Sequence, residues 1–261
     1  MLNFCSLYSG SSGNSLFVES DNTKVLIDVG LSYRELKKRL ASVQTNVEDI
    51  GAVFITHEHS DHIKGLNTFL KRHQIPVYLS EGSYNAIVGE KKIGVEHPSF
   101  NVIEEDQLIQ IQDFNFHPFL ISHDAYEPFG YCVYEGNKKL VYLTDTGFVS
   151  QQNEERIRNA DIYILETNHN VEMLMGTNRP WYLKQRILGD LGHLCNEDAF
   201  DVLARVRGDD TKYVYMAHIS EEANSVDLLK LTVEDYYTQE KDYRLNFMIA
   251  HQHQVSEIVE V

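Results

Sequence analysis

The sequence predicts an α/β protein, because short strand segments alternate with helical ones. The strand segments are rich in Val, Ile, Phe and Tyr, and polar residues or glycine bound them. The helical segments show the period of an amphipathic helix. In segment 32–42, Ser32 and Glu35 form a capping-box pattern, and Leu36 and Leu40 lie four apart. Such an alternation predicts strands packed on strands with helices outside.

The predicted elements cover the chain without an obvious break. The predicted strands are 15–19, 24–28, 52–56, 77–79, 107–111, 115–122, 130–135, 139–144, 162–166, 213–217 and 245–250. The predicted helices are 32–42, 63–72, 82–88, 153–158, 182–188, 197–205 and 225–234. The Ser- and Gly-rich segment 9–15 is expected to be a tight turn rather than a phosphate-binding loop. Because no repeat or low-complexity linker divides the chain, residues 1–261 are expected to form a single domain.

Composition and charge narrow the class of protein. The apolar fraction of 43% is typical of a folded globular protein, and the net charge is −16 with histidine neutral. A nucleic-acid footprint, if present, must therefore be local or rest on metal ions. Cys5, Cys132 and Cys195 are few and widely spaced, which favours the reducing cytoplasm. No run approaches the ~20 apolar residues of a membrane helix, so no membrane insertion is expected, and the oligomeric state is left open.

The densest cluster of chemically active residues follows the apolar run 52–55. Here His57, His59, Asp61 and His62 crowd the turn before a predicted helix. Neutral imidazole and carboxylate groups are suitable ligands for divalent Zn, Mn or Fe. The spacing predicts that His57 and His59 bind one ion and that Asp61 and His62 face a second.

Further apolar runs end in metal-capable residues. These are His123, Asp145, Glu166 (with His169 close behind) and His218. Because the carboxyl ends of strands in one sheet layer converge on one edge, these side chains are expected to meet there. Taken singly, His123, Asp145 and His218 are each equally well explained as a polar residue that closes a strand.

This pattern resembles the metallo-β-lactamase superfamily. Its principal motif is matched at 56–62, in the order Thr-His-x-His-x-Asp-His, and Asp28, His123, Asp145 and His218 fall at its other motif positions. The resemblance covers essentially the whole chain. It implies a four-layer αββα sandwich and a metal-dependent hydrolase that uses two divalent ions and needs no nucleophilic Ser or Cys.

The resemblance also implies a role for each motif residue. One ion takes His57, His59 and His123; the other takes Asp61, His62 and His218; and Asp145 bridges the two beside a shared water or hydroxide. Asp28 is expected to orient the ligands by hydrogen bonding. Asp61 counts as a catalytic residue as well as a ligand.

The later part of the chain indicates the class of substrate. The segment Gly192-His193-Leu, followed by Ala217-His218-Ile-Ser, is similar to elements of phosphodiesterase and nuclease branches, where the first His donates a proton to the leaving oxygen. The alternative for His193 is a surface residue before the helix at Asn196. Further segments, including Glu166-Thr-Asn-His169, resemble the bacterial YycJ group, also called WalJ or VicX, with Cys195 where Ser is expected. This resemblance implies a 5′→3′ exonuclease with DNA as substrate.

The remaining site predictions concern residues around His193. Glu166 and His169 are expected beside the ligands. Arg179, Lys184 and Arg186 are candidates to receive phosphates, although a helix with solvated basic residues explains them equally well. Two other functions stay open: a small-molecule hydrolase of thioesterase or lactonase type, which the −16 charge favours, and a non-catalytic regulatory partner in cell-wall signalling.

Overall fold

The computed structural model of this chain describes residues 1–89 and 99–261. Within these, the chain divides into two compact units. The first unit comprises Met1–Leu120, Ala125–Lys138 and His251–Val261; the second comprises Ile121–Asp124 and Lys139–Ala250. The prediction that residues 1–261 act as a single domain stays a prediction.

The first unit contains a mixed sheet whose strand order is β14-β1-β2-β3-β4-β5-β6. The pairs from β14 to β3 are antiparallel, and those from β3 to β6 are parallel. The strands of this unit are β1 (Asn3–Gly10), β2 (Gly13–Glu19), β3 (Lys24–Ile27), β4 (Ala52–Phe54), β5 (Val77–Leu79), β6 (Phe100–Val102), β7 (Ile109–Ile111), β8 (Phe114–Leu120), β9 (Phe129–Glu135) and β14 (Val259–Glu260).

Aromatic side chains form much of the core of the first unit. Strands β7, β8 and β9 pair antiparallel in that order. Phe116 of β8 stacks on Phe54 of β4 with ring centroids 3.8 Å apart, and Tyr131 of β9 meets the same ring edge-on. The hydroxyl of Tyr131 donates to the carbonyl of Ile55 at 2.6 Å, so its buried polar end is satisfied. This packing fixes the end of β4, from which the histidine-rich segment emerges.

The second unit is built on a parallel sheet. Its strands are β10 (Lys138–Leu143, whose first residue belongs to the first unit), β11 (Ile162–Glu166), β12 (Tyr213–Ala217) and β13 (Asn246–Ile249). Each pairs in parallel with the next. Strand β11 is buried along its whole length, as expected for an inner parallel strand. Parallel pairing brings the carboxyl ends of these strands to one edge.

Helices connect the strands in both units. The first unit has α1 (Tyr33–Ser42), α2 (Ser60–Ile63), α3 (Leu66–Leu70) and α4 (Glu81–Gly89), and the second has α5 (Gln151–Ile157), α6 (Val171–Gly176), α7 (Trp181–Leu188), α8 (Asn196–Val206) and α9 (Val226–Glu240). The hydroxyl of Ser32 caps α1 by accepting from the amide of Glu35, as the capping-box pattern predicts.

Most predicted elements are confirmed with shifts of a few residues at their ends. The predicted helix 63–72 is wrong as a single helix, because α2 and α3 are separate. Strands β1, β6 and β14 and helix α6 were not predicted. Segment 9–15 is not one turn: it contributes to both β1 and β2, and only residues 11–12 turn. Among the residues described, no helix has the length and apolar character that crossing a membrane requires.

Candidate functional site

Asp28 organises the ligand candidates of the first unit. It directly follows β3, is fully buried, and adopts a left-handed backbone with φ 66°. Its carboxylate accepts from the amide and the hydroxyl of Thr56, each at 2.9 Å, and lies 2.7 Å from Nδ1 of His62. Burial raises the pKa of Asp28, and the contacts with His62 and Thr56 oppose that rise. The carboxylate of Asp28 therefore holds the ring of His62 in one orientation.

The histidines of the first unit lie side by side. The ring of His57 is 4.1 Å from that of His62 and 4.5 Å from that of His59, measured between centroids. His57 and His62 are fully buried, and His59 is the N-cap residue of α2. Because Nδ1 of His62 faces the carboxylate of Asp28, Nε2 is the nitrogen that can bind a metal. Nε2 of His62 lies 3.6 Å from the carboxylate of Asp61.

Glu58 lies within the histidine segment, but its carboxylate contacts Tyr126 and Ser83. It is buried, and its two carboxylate oxygens accept from the amide of Tyr126 at 3.1 Å and from the hydroxyl of Ser83 at 3.3 Å. Glu58 thus ties the histidine segment to two neighbouring segments of the first unit. Its contribution is to the rigidity of the site rather than to ligation.

Glu166 organises the candidates of the second unit. It ends β11 and is fully buried. One carboxylate oxygen lies 2.8 Å from Nδ1 of His193 and 2.8 Å from Nδ1 of His218, and the other accepts from the amides of Thr146 and Leu194. Burial by itself would raise the pKa of Glu166, but the contacts with the two imidazoles lower it to about 2. Glu166 therefore remains a carboxylate that directs Nε2 of both rings away from itself.

Asp145 and His218 both leave their strands in a strained conformation. They follow β10 and β12 with φ values of 59° and 52°, in the left-handed region that L residues avoid. The carboxylate of Asp145 lies 3.4 Å from Nδ1 of His218. The amide group of Asn168 donates to the carbonyl of His218 at 2.8 Å, which stabilises this backbone conformation. Strained residues that the surrounding structure holds in place are typical of functional sites.

The ring of His123 is held in place through Nδ1, which leaves Nε2 as the nitrogen that can bind a metal. Its Nδ1 lies 3.2 Å from the carbonyl of Gly192, and its Nε2 lies 4.0 Å from the carboxylate of Asp145. Burial lowers the pKa of His123, which favours the neutral imidazole that a metal requires. His123 is thereby oriented by the same turn that carries His193.

The turn at Gly192 and His193 packs tightly on the end of α7. A Cβ atom at position 192 would lie 2.2 Å from the carbonyl oxygen of Ile187, so only glycine fits. The side chain of His193 is 17% exposed and can reach solvent, unlike that of Glu166. The Sγ atom of Cys195 accepts from the amide of Asp198 at 3.4 Å and caps α8, as Ser would do there.

The donor sets in both units fit divalent metal ions. In the second unit, ligand atoms of Asp145, Glu166, His193 and His218 lie within 4.8 Å of one another. The first unit contributes His57, His59, Asp61 and His62 from a single turn. Imidazole nitrogen and carboxylate oxygen suit Zn, Mn or Fe, and the second ring nitrogen of several of these histidines is fixed by a carboxylate or carbonyl group. The chain therefore provides ligands for divalent metal ions.

Of the three basic residues predicted to receive phosphates, the two arginines pair with carboxylates and the lysine is turned inward. Nε of Arg179 donates to Glu222 at 2.7 Å, and Nε of Arg186 donates to Asp124. The prediction for Lys184 is wrong. Its ammonium group is turned inward and donates to the carbonyls of Met175 and Thr177 at 2.6 and 2.7 Å, and the residue is buried.

His169 is buried, but no hydrogen bond links its ring to the ligand candidates. Within residues 1–89 and 99–261, neither ring nitrogen has a hydrogen-bond partner. Burial lowers the pKa of His169 to about 4, so the ring is neutral at cellular pH. Its predicted role beside the ligands stays a prediction.

Sequence reasoning did not identify three polar residues that contact the ligand candidates. These are Asn14, Thr56 as a hydrogen-bond partner of Asp28, and Asn168. Asparagine within an apolar strand, as in Asn14, is an available signal, because a buried amide must find hydrogen-bond partners. Asn168 lies between Glu166 and His169 and carries a similar signal.

Comparison with known proteins identifies the family. A family model described as a beta-lactamase superfamily domain matches residues 23–219. The chain belongs to this superfamily. It is similar to exodeoxyribonuclease YycJ of Bacillus anthracis, with 39% identity over 239 residues, 89% of this chain and 88% of that protein. It is equally similar to exodeoxyribonuclease WalJ of Streptococcus pneumoniae serotype 2 (strain D39 / NCTC 7466), with 39% identity over 234 residues, 89% and 87% of the two proteins.

A solved structure agrees on the fold. The metallo-beta-lactamase fold protein YhfI from Bacillus subtilis matches with a TM-score of 0.73 at 16% identity, covering 98% of this chain and 100% of that one. The predicted fold class, α/β of the metallo-β-lactamase type, is confirmed. So is the predicted resemblance to the YycJ and WalJ group.

Proposed function

We propose that this chain is a two-metal hydrolase that cleaves phosphodiester bonds, acting as a 5′→3′ exonuclease on DNA. The observation that carries the proposal is the carboxylate of Glu166, 2.8 Å from Nδ1 of both His193 and His218. This carboxylate contacts both a partly exposed imidazole and a metal-ligand candidate, and such an imidazole supports an acid–base role that a purely structural metal site does not need. The relatives named exodeoxyribonucleases supply the substrate class.

Family membership supports the following ligand assignment. One ion would be held by His57, His59 and His123, and the other by Asp61, His62 and His218, with Asp145 shared by both. When bound, such ions lower the pKa of an attacking water and stabilise the negative charge of the transition state. We propose Zn, Mn or Fe as the metal, since the donor set suits all three.

The residues of the chain then have separate tasks in the reaction. Water releases one proton to solvent and attacks phosphorus, and the bond from phosphorus to the leaving oxygen breaks. His193 donates the proton that this oxygen requires from Nε2, because Nδ1 faces Glu166. Glu166 holds the ring of His193 in the orientation that this transfer requires. Asp28 and Glu166 keep His62 and His218 oriented throughout.

We propose that Arg179 and Arg186 contact the substrate. Arg179 precedes α7, Arg186 lies within it, and both side chains are partly exposed. Each is paired with a carboxylate, so a phosphate must compete for it. We further propose that the enzyme acts in the cytoplasm, where its three buried cysteines, all free, remain reduced.

The proposal is tested with end-labelled duplex DNA and metal-stripped protein, titrated separately with Mn²⁺ and Zn²⁺. The expected result is stepwise shortening from the 5′ end that depends on added metal and is absent in Asp61→Ala. The control variant Asp227→Ala changes an exposed carboxylate at the start of α9 and should cleave like the wild type. Turnover of a thioester or lactone without any DNA cleavage would overturn the nuclease assignment in favour of a small-molecule hydrolase, which the charge of −16 favours.

A further inference from the structure

Asn14 lies next to the proposed ligands but outside the part of the chain that the family model matches, residues 23–219. It is the second residue of β2, pairs with Ser9 across the hairpin, and is completely buried. Its carbonyl accepts from the amide of Gly30 at 2.9 Å. The β1–β2 hairpin is thereby attached to the chain segment that follows Asp28.

The side chain of Asn14 has a defined direction. Its Oδ1 accepts from the amide of Gly10 at 3.0 Å, which fixes the orientation of the amide group. Its Nδ2 therefore faces the ligands, 3.0 Å from Nε2 of His62 and 3.5 Å from Oδ2 of Asp61. Because Nδ1 of His62 faces Asp28, Nε2 of this ring is an acceptor for the amide.

The backbone sets these distances. A Cβ atom at position 30 would lie 1.7 Å from the carbonyl oxygen of Asp61 and 2.5 Å from the amide nitrogen of Asn14. Only glycine allows the hairpin and α2 to approach so closely. Asn14 consequently reaches Asp61 and His62 from a rigid strand.

We infer that Asn14 is a positioning residue for the metal ligand Asp61. The inference rests on the proposed metal site. Asp61 is the ligand that needs support, since its side chain is 22% exposed whereas that of His62 is fully buried. Once Nε2 of His62 binds an ion, Oδ2 of Asp61 is the acceptor left to the Asn14 amide. That hydrogen bond directs the carboxylate of Asp61 toward the ion.

The test is the Zn²⁺ affinity of the purified full chain, measured by competition with a chromophoric chelator. Asn14→Ala should weaken Zn²⁺ binding by about tenfold, the lower end of the effect expected for residues that orient metal ligands. If Asn14→Ala folds poorly, Asn14→Leu is measured in its place. Leucine retains the volume of the side chain but offers no hydrogen-bond donor, so the same loss of Zn²⁺ affinity is expected. Thr45→Val is the matched control, because it removes a buried hydroxyl group of the same unit and should leave the affinity unchanged.

A double-mutant cycle distinguishes positioning from a general loss of structure. In the Asp61→Ala background, Asn14→Ala should cause no further loss of Zn²⁺ affinity. Unchanged or tighter binding in Asn14→Ala and Asn14→Leu overturns the inference while leaving the metal site intact. Absence of Zn²⁺ binding by the wild type overturns both the inference and the proposed metal site.

Discussion

In each unit a buried carboxylate orients a histidine that we propose as a metal ligand, but the two carboxylates have different partners. Asp28 faces one imidazole and Thr56, and burial raises its pKa. Glu166 faces two imidazoles and two backbone amides, and its pKa falls to about 2. Both groups are fully buried, so burial alone does not decide whether the charge is favoured. The number of hydrogen-bond donors, and above all of imidazoles, decides it.

The different partners of Asp28 and Glu166 imply different contributions of the two units to function. Asp28 orients only His62, a proposed ligand. Glu166 orients a proposed ligand and a proposed proton donor through one oxygen. The first unit is therefore expected to contribute metal binding, and the second both metal binding and proton transfer.

The largest expected effect comes from removing one ligand in either unit. His62→Ala and His218→Ala should each lower DNA cleavage by more than about 10⁴-fold, because charge stabilisation and the attacking water are lost together. Turnover measured in saturating Mn²⁺ checks this. Retention of wild-type turnover by either variant would restrict the site to the other unit.

The next effect separates proton transfer from metal binding. His193→Ala should retain its metal content and lose about 10³-fold in turnover, within the range of general acid catalysis. Metal analysis of the same preparation provides the control. If metal is lost in parallel with turnover, His193 is a ligand, and the contrast between the units disappears.

Exchanging each carboxylate for its amide compares the two units directly. Glu166→Gln should lower turnover by about 100-fold, whereas Asp28→Asn should weaken Zn²⁺ affinity by about tenfold and leave turnover at saturating metal closer to the wild type. Turnover is measured over a range of Zn²⁺ concentrations. Equal profiles for both variants would show that the two carboxylates have the same role.

The smallest effect is on the stability of the metal-free protein. The pKa of Glu166 is lowered in the folded state, so its contribution to stability is present above the ordinary glutamate pKa of ~4.3 and is lost as pH falls toward about 2. Asp28 has a raised pKa, so its ionisation instead costs stability as pH rises through ~3.9 and beyond.

Urea unfolding of the metal-free protein between pH 7 and pH 3 measures both contributions. Glu166→Gln should reduce the loss of unfolding free energy toward acid, and Asp28→Asn should not. The expected size is about 1–3 kcal/mol, as for a buried polar group that loses its partner. The opposite order of the two variants would contradict the assigned pKa directions.

The sequence predicts the histidine segment and the strand ends because apolar runs typical of strands end there in residues that can bind a metal. Strand β1 escapes prediction because Ser6 and Ser9 interrupt its apolar residues, although both are buried in the sheet. Lys184 appears in the sequence as a solvated cation, yet backbone carbonyls bind its ammonium group. Asn14 is distant in sequence from Asp61 and His62, and only the packing at Gly30 brings it near them.

Asp28, Asp145 and His218 are three of the residues with left-handed backbone, and each carries a conformational cost in the folded state. Glycine would relieve the conformational cost at each position, roughly 1 kcal/mol or more. A substitution to glycine or asparagine there relieves this strain, but it also removes an orienting group or a proposed ligand. In engineering this protein, improved stability at these three positions should be treated as a warning of lost activity.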